Sequence, residues 1–408
     1  MAGMTSLASA GPAGATTPVP QLRIVMGADT YPPDVNGAAN FAARLAAGLA
    51  ERGHDVHVLC PSTTGRSDTA AVGDVTVHRI ASMLTPVHPT FRICSPPRAF
   101  RAAQALVDEL APDLVHIQAH FLVGRGLAAA ARRCRIPLVA TNHFMPENLH
   151  GYLHLPKALQ PLVSKLGWWD LRRVLRHAQV VTAPTPRAVQ LLADQGIPWA
   201  IAVSCGIDLN RFATTTPAAG RRVPHVLFVG RLDEEKRVGD LLLAVHRIRH
   251  GVRVRVEIVG DGRCRRAWQE LAGRLGIAGA VTFHGYVDEE ALIAAYQRAD
   301  VFCMPGVAEL QSLATMDALA AGKPVVAADA MALPHLVRPG ETGWLYPPGD
   351  VAALADRLRC LLADGPARVR MGAAGRDLIA EHSMEKTLDR FESVYHCVAP
   401  SQRSVSRR

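Results

Sequence analysis

An alternation that runs almost the whole length of this chain constrains its fold most: short β-rich apolar runs separated by longer stretches of helical periodicity. In the first half, LRIVMGAD is followed by a helical pattern from about Ala38 to Arg52. DVHVLC, VTVHRI, DLVHIQ, PLVATNH and VVTAPT come next, with helical stretches between most of them. Repetition of this kind implies parallel strands joined by crossover helices. The runs are nearly continuously apolar, as expected for a sheet that helices cover on both faces. RFATTTPAAGRRVP has no periodicity and breaks the pattern. The alternation restarts with HVLFVG, VRVEIVG, VTFHG, VFCMP, PVVAAD and GWLYPPGD. The expected fold class is α/β, with two Rossmann-like domains facing across a cleft between the carboxyl edges of their sheets. The expected divisions are a tail over 1–20, a first domain over 21–210, a linker over 211–224, a second domain from 225 to 383 and a basic tail over 400–408.

Two domains suit a chain of 408 residues, of which 49% are hydrophobic, so each half can bury a core. No apolar run is long enough to span a bilayer. The start lacks the charged segment and apolar stretch of a signal peptide, so a cytoplasmic location is expected. The eight cysteines are scattered, with no C-x-x-C pair, and Cys60, Cys205 and Cys303 fall in apolar strand-like runs. They read as buried thiols rather than disulfides or a zinc site. A formal charge of +9 suits anionic partners. Nucleic acid is not among those expected, because neither an aromatic-basic strand motif nor a zinc-finger spacing is present.

Several segments could carry chemistry. In VLFVGRLDEEKRV, Arg231 and Lys236 follow a strand that ends at Gly230, one in the loop and one in the first helical turn. Two cations beside a helix N-terminus can clamp a diphosphate without a metal, or they can be solvated charges with Asp233, Glu234 and Glu235 between them. Asp-x-Asp, the pair that would hold a divalent ion, does not occur in the chain, and no cofactor is expected. Seven residues separate Glu309 from Asp317. With a helix starting near Gln311, Asp317 lies about two turns in, and backbone N–H groups at Gln311, Ser312 and Leu313 can receive a phosphate. The plainer reading is a helix with an acidic start. Gly37 lets a ligand approach the backbone at the next helix start, or simply makes a turn. That region is not G-x-G-x-x-G, and the following strand does not end in an acid, which counts against a dinucleotide site. His143 and Asn142 end one strand, and His116, Gln118 and His120 end another, so all five are candidates for the cleft, or structural polar groups. Finally, the stretch from Lys157 to Arg176 combines Lys165, Arg172 and Arg173 with Trp168 and Trp169. That mixture suits a membrane surface, or a domain helix that buries its tryptophans.

Taken together, VGRLDEEKRV, VGDGRCR, HGYVDEEAL, the Glu309–Asp317 segment, AAGKPVVAAD and GETGWLYPPGD, in this order and spacing, resemble the retaining glycosyltransferases of family 4, whose fold is called GT-B. The resemblance runs from about Gln21 to Ala399. It implies that Arg231 and Lys236 hold a donor diphosphate, that Glu309 contacts the donor sugar and that Asp317 binds ribose hydroxyls. It also implies that Gly37 lines the pyrophosphate from the other domain and that His143 faces the donor sugar near the reacting centre. A helix around Met384 to Val398, within 384–399, would cross back to the first domain. The partners implied are a nucleotide-diphosphate sugar, with a UDP-sugar ahead of GDP-mannose, and a lipid or small-molecule acceptor. Peripheral contact with an anionic membrane, on its cytoplasmic face, would serve a lipid acceptor. Two departures stand out: Asp317 replaces the usual Glu, and Arg237 replaces the usual Gly after the clamp lysine. AELQSLATMDA is nearer the Glu-Thr-Gln-Gly form of glycolipid-forming members than the common Glu-Gly-Phe-Gly form. The alternatives are a same-fold sugar-phosphate synthase or phosphorylase, and a non-catalytic nucleotide-sugar-binding protein.

Overall fold

The computed structural model of the chain describes residues 20–34, 36–85, 91–146, 156, 158–212 and 223–399. Most of the expected tails, linker positions 213–222 and Lys157 lie outside the described residues.

The first half forms a sheet of eight strands in the order β10-β9-β8-β7-β1-β2-β4-β3. Its central strands are β1 (Arg23–Gly27), β2 (Asp55–Pro61) and β4 (Val75–Ile80). β7 (Leu114–Ile117), β8 (Leu138–Thr141) and β9 (Val180–Ala183) continue it. All of these are the apolar runs of the sequence, paired in parallel. β10 (Ala200–Ala202) adds one edge and the antiparallel β3 (Asp68–Val72) the other. A small hairpin, β5 (Ser82–Leu84) with β6 (Arg92–Cys94), stands apart from the sheet. β3 and β5 carry no buried residue, and so had no apolar run to announce them. The crossover helices are α1 (Gly37–Glu51), α2 (Pro96–Leu110), α3 (Leu122–Cys134), α4 (Gln160–Leu175) and α5 (Pro186–Asp194).

The second half forms a six-stranded sheet in the order β13-β12-β11-β14-β15-β16, parallel throughout. The strands are β11 (His225–Val229), β12 (Arg255–Val259), β13 (Val281–Gly285), β14 (Val301–Met304), β15 (Val325–Ala328) and β16 (Gly343–Tyr346). Among them run α6 (Val238–Ile248), α7 (Arg265–Arg274), α8 (Glu289–Arg298), α9 (Leu313–Ala320) and the short α10 (Leu333–Leu336). α11 (Val351–Ala363) and α12 (Gly365–Ala380) follow the last strand. Ile207 and Phe212 are buried in this second core, so the chain enters it earlier than the expected linker at 211–224.

α13 (Met384–Val398) then returns to the first domain, over the expected residues. Its Leu388, Phe391 and Tyr395 join the core beneath α1. A side chain at Gly48 of α1 would collide with Leu388 at 2.6 Å, so glycine there sets how closely α13 approaches. Arg52 and His54 bind Glu392 at 2.6 and 3.0 Å. Where the two crossings meet, Ile207 N–H donates to His382 O and Met384 N–H to Ile207 O.

Candidate active site

The cationic side of the cleft is built by backbone contact. Gly230 follows β11 with φ 158, and a Cβ at Gly260 would sit 2.0 Å from Gly230 O. Only glycine lets the loops after β11 and β12 touch so closely. Arg231 leaves this junction and binds Asp233 and Glu235 at 3.1 and 3.2 Å, so the intervening acids are its partners. Lys236 sits in one 3-10 turn, Glu234–Lys236, ahead of α6 rather than in its first turn as expected. The reason is Arg237, whose φ of 49 turns the chain between the two. This left-handed position suits the glycine that family 4 usually has there. Lys236 forms an ion pair with Glu309, and Gly306 leaves the room for it: a Cβ would meet Glu309 Oε1 at 3.2 Å.

Glu309 is buried in the loop between β14 and α9. The Ser312 side chain caps α9, whose first residue is Leu313, two later than expected. Asp317 is therefore just over one turn into the helix, not two. It is buried, and its carboxylate binds Arg211 at 3.0 Å. Arg211 also holds Glu289 at 2.7 Å. Burial pushes the Asp317 carboxyl up to about 6 against the pull of Arg211 and Arg44. Arg44 belongs to α1, and its Nε and Nη2 are buried with no hydrogen-bond partner among the described residues. The expected ribose contact at Asp317 would thus have to share a carboxylate that Arg211 already holds. Arg211 was missed because it sits in what read as linker.

Gln311, expected at the donor, spends its amide elsewhere. It accepts from Cys205 N–H at 2.8 Å and donates to Ser204 Oγ at 2.9 Å, fastening the two domains together. Thr185, the cap of α5, donates to Leu310 O at 2.9 Å across the same boundary. The sequence does show Thr185-Pro186 as a helix start, but not what else the hydroxyl binds. What remains for a ligand at Gln311, Ser312 and Leu313 is the backbone of the first turn. Opposite it stands the start of α1, capped by Asn36. A Cβ on Gly37 would lie 3.7 Å from Leu313 Cδ1, so the two helix N-termini converge. Converging N-termini, with Lys236 paired to Glu309 just ahead of one of them, can receive a multiply charged anion.

His143 follows β8 at the edge of this space. Its Nε2 shares a 3.1 Å hydrogen bond with Gln118 Oε1, and its ring stands edge-on to Phe41 at 5.0 Å. Burial lowers its pKa to about 4, so the imidazole is neutral near pH 7. The other acceptor-side candidates support it or sit elsewhere. His116 does not reach the cleft: fully buried, it binds the Tyr395 hydroxyl and Thr141 Oγ1, each at 2.7 Å, beneath α13. Gln118 is buried and orients His143. Asn142 shapes the turn, donating to Phe144 O at 3.0 Å. His120 is buried among Phe121 and Phe144. Gln118, His120, Asn142 and His143 follow parallel strands, but His116 lies within β7 and the α13 return covers it, which the strand pattern alone could not show. Asp29 was not singled out. It is buried after β1 and accepts from Val123 and Gly124 N–H, at 2.9 and 3.3 Å, at the start of α3.

Comparison with known proteins places the chain among nucleotide-sugar enzymes. A family model described as Glycosyltransferase Family 4 matches residues 35–211, and one described as Glycosyl transferases group 1 matches 223–364. The GDP-mannose-dependent alpha-mannosyltransferase of Mycobacterium tuberculosis is 31% identical over 391 residues, covering 92% of this chain and 97% of that protein. Glycogen synthase of the same organism is also 31% identical, covering 87% and 89%. Among solved structures, a sucrose-phosphate synthase from Thermosynechococcus elongatus superposes with a TM-score of 0.77 at 22% identity, covering 92% of this chain and 99% of that one. That likeness shows the two-domain fold.

Proposed function

This chain belongs to glycosyltransferase family 4 and uses a nucleotide sugar, and from that premise we propose that it moves a hexosyl group to an acceptor hydroxyl with retention and without a metal ion. The observation that carries this reading is the Lys236–Glu309 pair, set beside the N-terminus of α9 with the N-terminus of α1 facing it. In the proposed reaction the bond from the anomeric carbon to the diphosphate breaks. Arg231, Lys236 and first-turn N–H groups stabilise the charge that develops on the leaving oxygen. The acceptor oxygen bonds to the anomeric carbon from the same face, and its proton passes to a phosphate oxygen of the leaving group. No carboxylate nucleophile is required. Glu309, freed from Lys236 as the diphosphate takes that cation, would accept from hydroxyls of the sugar. His143, neutral near pH 7, would act by shape and hydrogen bonding rather than as a proton carrier.

For the donor, the mycobacterial relative moves GDP-mannose to the front, ahead of the UDP-sugar favoured on sequence alone. The acceptor is a lipid or small-molecule hydroxyl. A thermal-shift panel of UDP, GDP, ADP and their sugars tests the donor, since a ligand that binds only the folded state raises its stability. The expected outcome is stabilisation by GDP and GDP-mannose, followed by nucleoside diphosphate release with acceptor in excess chelator. Failure of every nucleotide to stabilise the protein would sink the donor site, and activity restored only by magnesium or manganese would sink the metal-free mechanism.

A further inference from the structure

His120 lies in the loop that follows β7 and is 4% exposed. The rings of Phe121 and Phe144 lie against it, with centroids at 4.5 and 5.6 Å. Phe121 also meets Phe144 at 5.0 Å and Phe91 at 6.1 Å. Each of these phenylalanines is half-buried, so the cluster reaches the surface with His120 beneath it. Phe144 directly follows His143 in the chain, and Gln118, just ahead of His120, shares its 3.1 Å hydrogen bond with His143. The ring cluster therefore adjoins His143 on the side of the first domain.

Both nitrogens of a buried imidazole need partners. Nε2 of His120 faces Asp170 Oδ2 at 3.8 Å, and Asp170 is held in turn by Arg125. A carboxylate only accepts, so it favours the ring proton on Nε2 and leaves Nδ1 as a lone-pair acceptor. Burial lowers the His120 pKa to about 4, against the pull of Asp170, so the ring is neutral near pH 7. Nδ1 is buried and has no hydrogen-bond partner among the described residues. An acceptor left in that state costs stability. Packing gives no reason for the nitrogen, because a phenyl ring would fill the same aromatic surroundings without that cost.

We propose that Nδ1 of His120 receives a hydroxyl of the acceptor, and that the acceptor presents a sugar ring whose C–H surface packs on Phe121 and Phe144. This rests on the glycosyl transfer proposed above. There the reacting hydroxyl gives its proton to the leaving phosphate, so the hydroxyl on His120 is a second one of the same acceptor. One lone pair set in aromatic carbon suits a ring with hydroxyls at its rim and C–H bonds on its faces. It does not suit an ionic headgroup, because the nearby charges, Arg125 and Asp170, already pair with each other.

The test gives the full chain GDP-mannose with the methyl glycosides of mannose, glucose and galactose, and measures glycoside product against donor lost to water. Transfer to at least one glycoside is expected. H120F should raise the KM for that glycoside about three- to tenfold and lower the ratio of transfer to hydrolysis by a similar factor, with nucleotide-induced stabilisation retained. Its melting temperature should not fall, since the change removes an unsatisfied nitrogen. H120N, whose amide oxygen stands about where Nδ1 stands, should restore most of the transfer. H120Q, whose amide stands nearer the Nε2 position, should not. A wild-type ratio in H120F, or equal transfer by H120N and H120Q, would overturn the proposal. So would donor hydrolysis with no transfer to any of the glycosides. A chain that neither binds nor hydrolyses GDP-mannose would instead remove the donor reading on which the proposal rests.

Discussion

Burying a carboxylate away from water raises the free energy of its charged form, and Asp29 shows what offsets this. Two backbone N–H groups at the start of α3 bind it, yet burial still lifts its pKa to about 6. The folded state therefore holds a proton that the unfolded chain releases near pH 4, and stability must fall as pH rises from about 4 to 6. A shift of this size corresponds to something on the order of 3 kcal/mol. In D29N that slope should vanish, so the difference in unfolding free energy between wild type and variant should change through this window and be flat above it. Parallel curves from pH 4 to 7 would contradict the assignment. The clamp cations differ in a comparable way. Lys236 and Glu309 are both largely shielded, whereas Arg231 is 38% exposed. K236A should lose donor binding and also destabilise the fold by about 3 kcal/mol, since it strands a buried carboxylate. R231A should lose donor binding with at most about 1 kcal/mol of stability. Urea melts alongside nucleotide titrations separate the two. Equal stability losses would mean that Lys236 is not the buried anchor.

At the scale of elements, the strands facing both layers were legible because burial on two sides demands unbroken apolar runs, as in LRIVMG and VFCMP. α13 was legible through the resemblance. The hairpin and β3 were not, for their side chains face solvent and obey no pattern. Within the candidate site, spacing located Arg231, Lys236 and Glu309 because they are local to strand ends, while the roles expected of them came from the resemblance. Arg211 with Asp317, and Thr185 with Leu310, are pairings across more than a hundred positions, which a single chain does not encode locally. Trp168 and Trp169 were an either-or reading that the helix divides, one into the core and one to solvent. Glycines test the element packing directly. A Cβ at Gly124 in α3 would lie 1.8 Å from Ala119 O, while Gly273 in α7 has nothing within 4 Å. G124A should destabilise by about 1–3 kcal/mol. G273A should stabilise by about 0.5–1 kcal/mol, as helix propensity alone dictates. Thermal melts of both variants give the signs, and two changes of the same sign would refute this picture of the packing.

For the molecule as a whole, the question is what holds the two domains closed around a site made of two converging helix ends. Among the described residues, three sets of hydrogen bonds cross the boundary, beside the apolar packing of Leu310 and Leu313 on the first domain. The paired crossings at Ile207 and Met384 are backbone to backbone and close to the hinge, so they persist whether the cleft is open or shut. Thr185 to Leu310 and the Gln311 amide to Ser204 and Cys205 bridge the domains near the cleft, and opening must break them. Each such hydrogen bond contributes about 0.5–1.5 kcal/mol net. Q311A removes two of them and leaves Cys205 N–H to water once the domains part. The closed-to-open ratio should therefore fall about 5- to 150-fold. Neither core is touched, so thermal stability should change little. The ligand-free variant should then show a larger radius of gyration in X-ray scattering than the wild type, and a donor nucleotide that bridges both helix ends should bring it back. Its apparent donor affinity should drop by the fraction of molecules left open. A scattering profile identical to wild type, with unchanged affinity, would mean that Gln311 does not control closure and that the convergence of α1 and α9 is set by the hinge and the core of α13 alone.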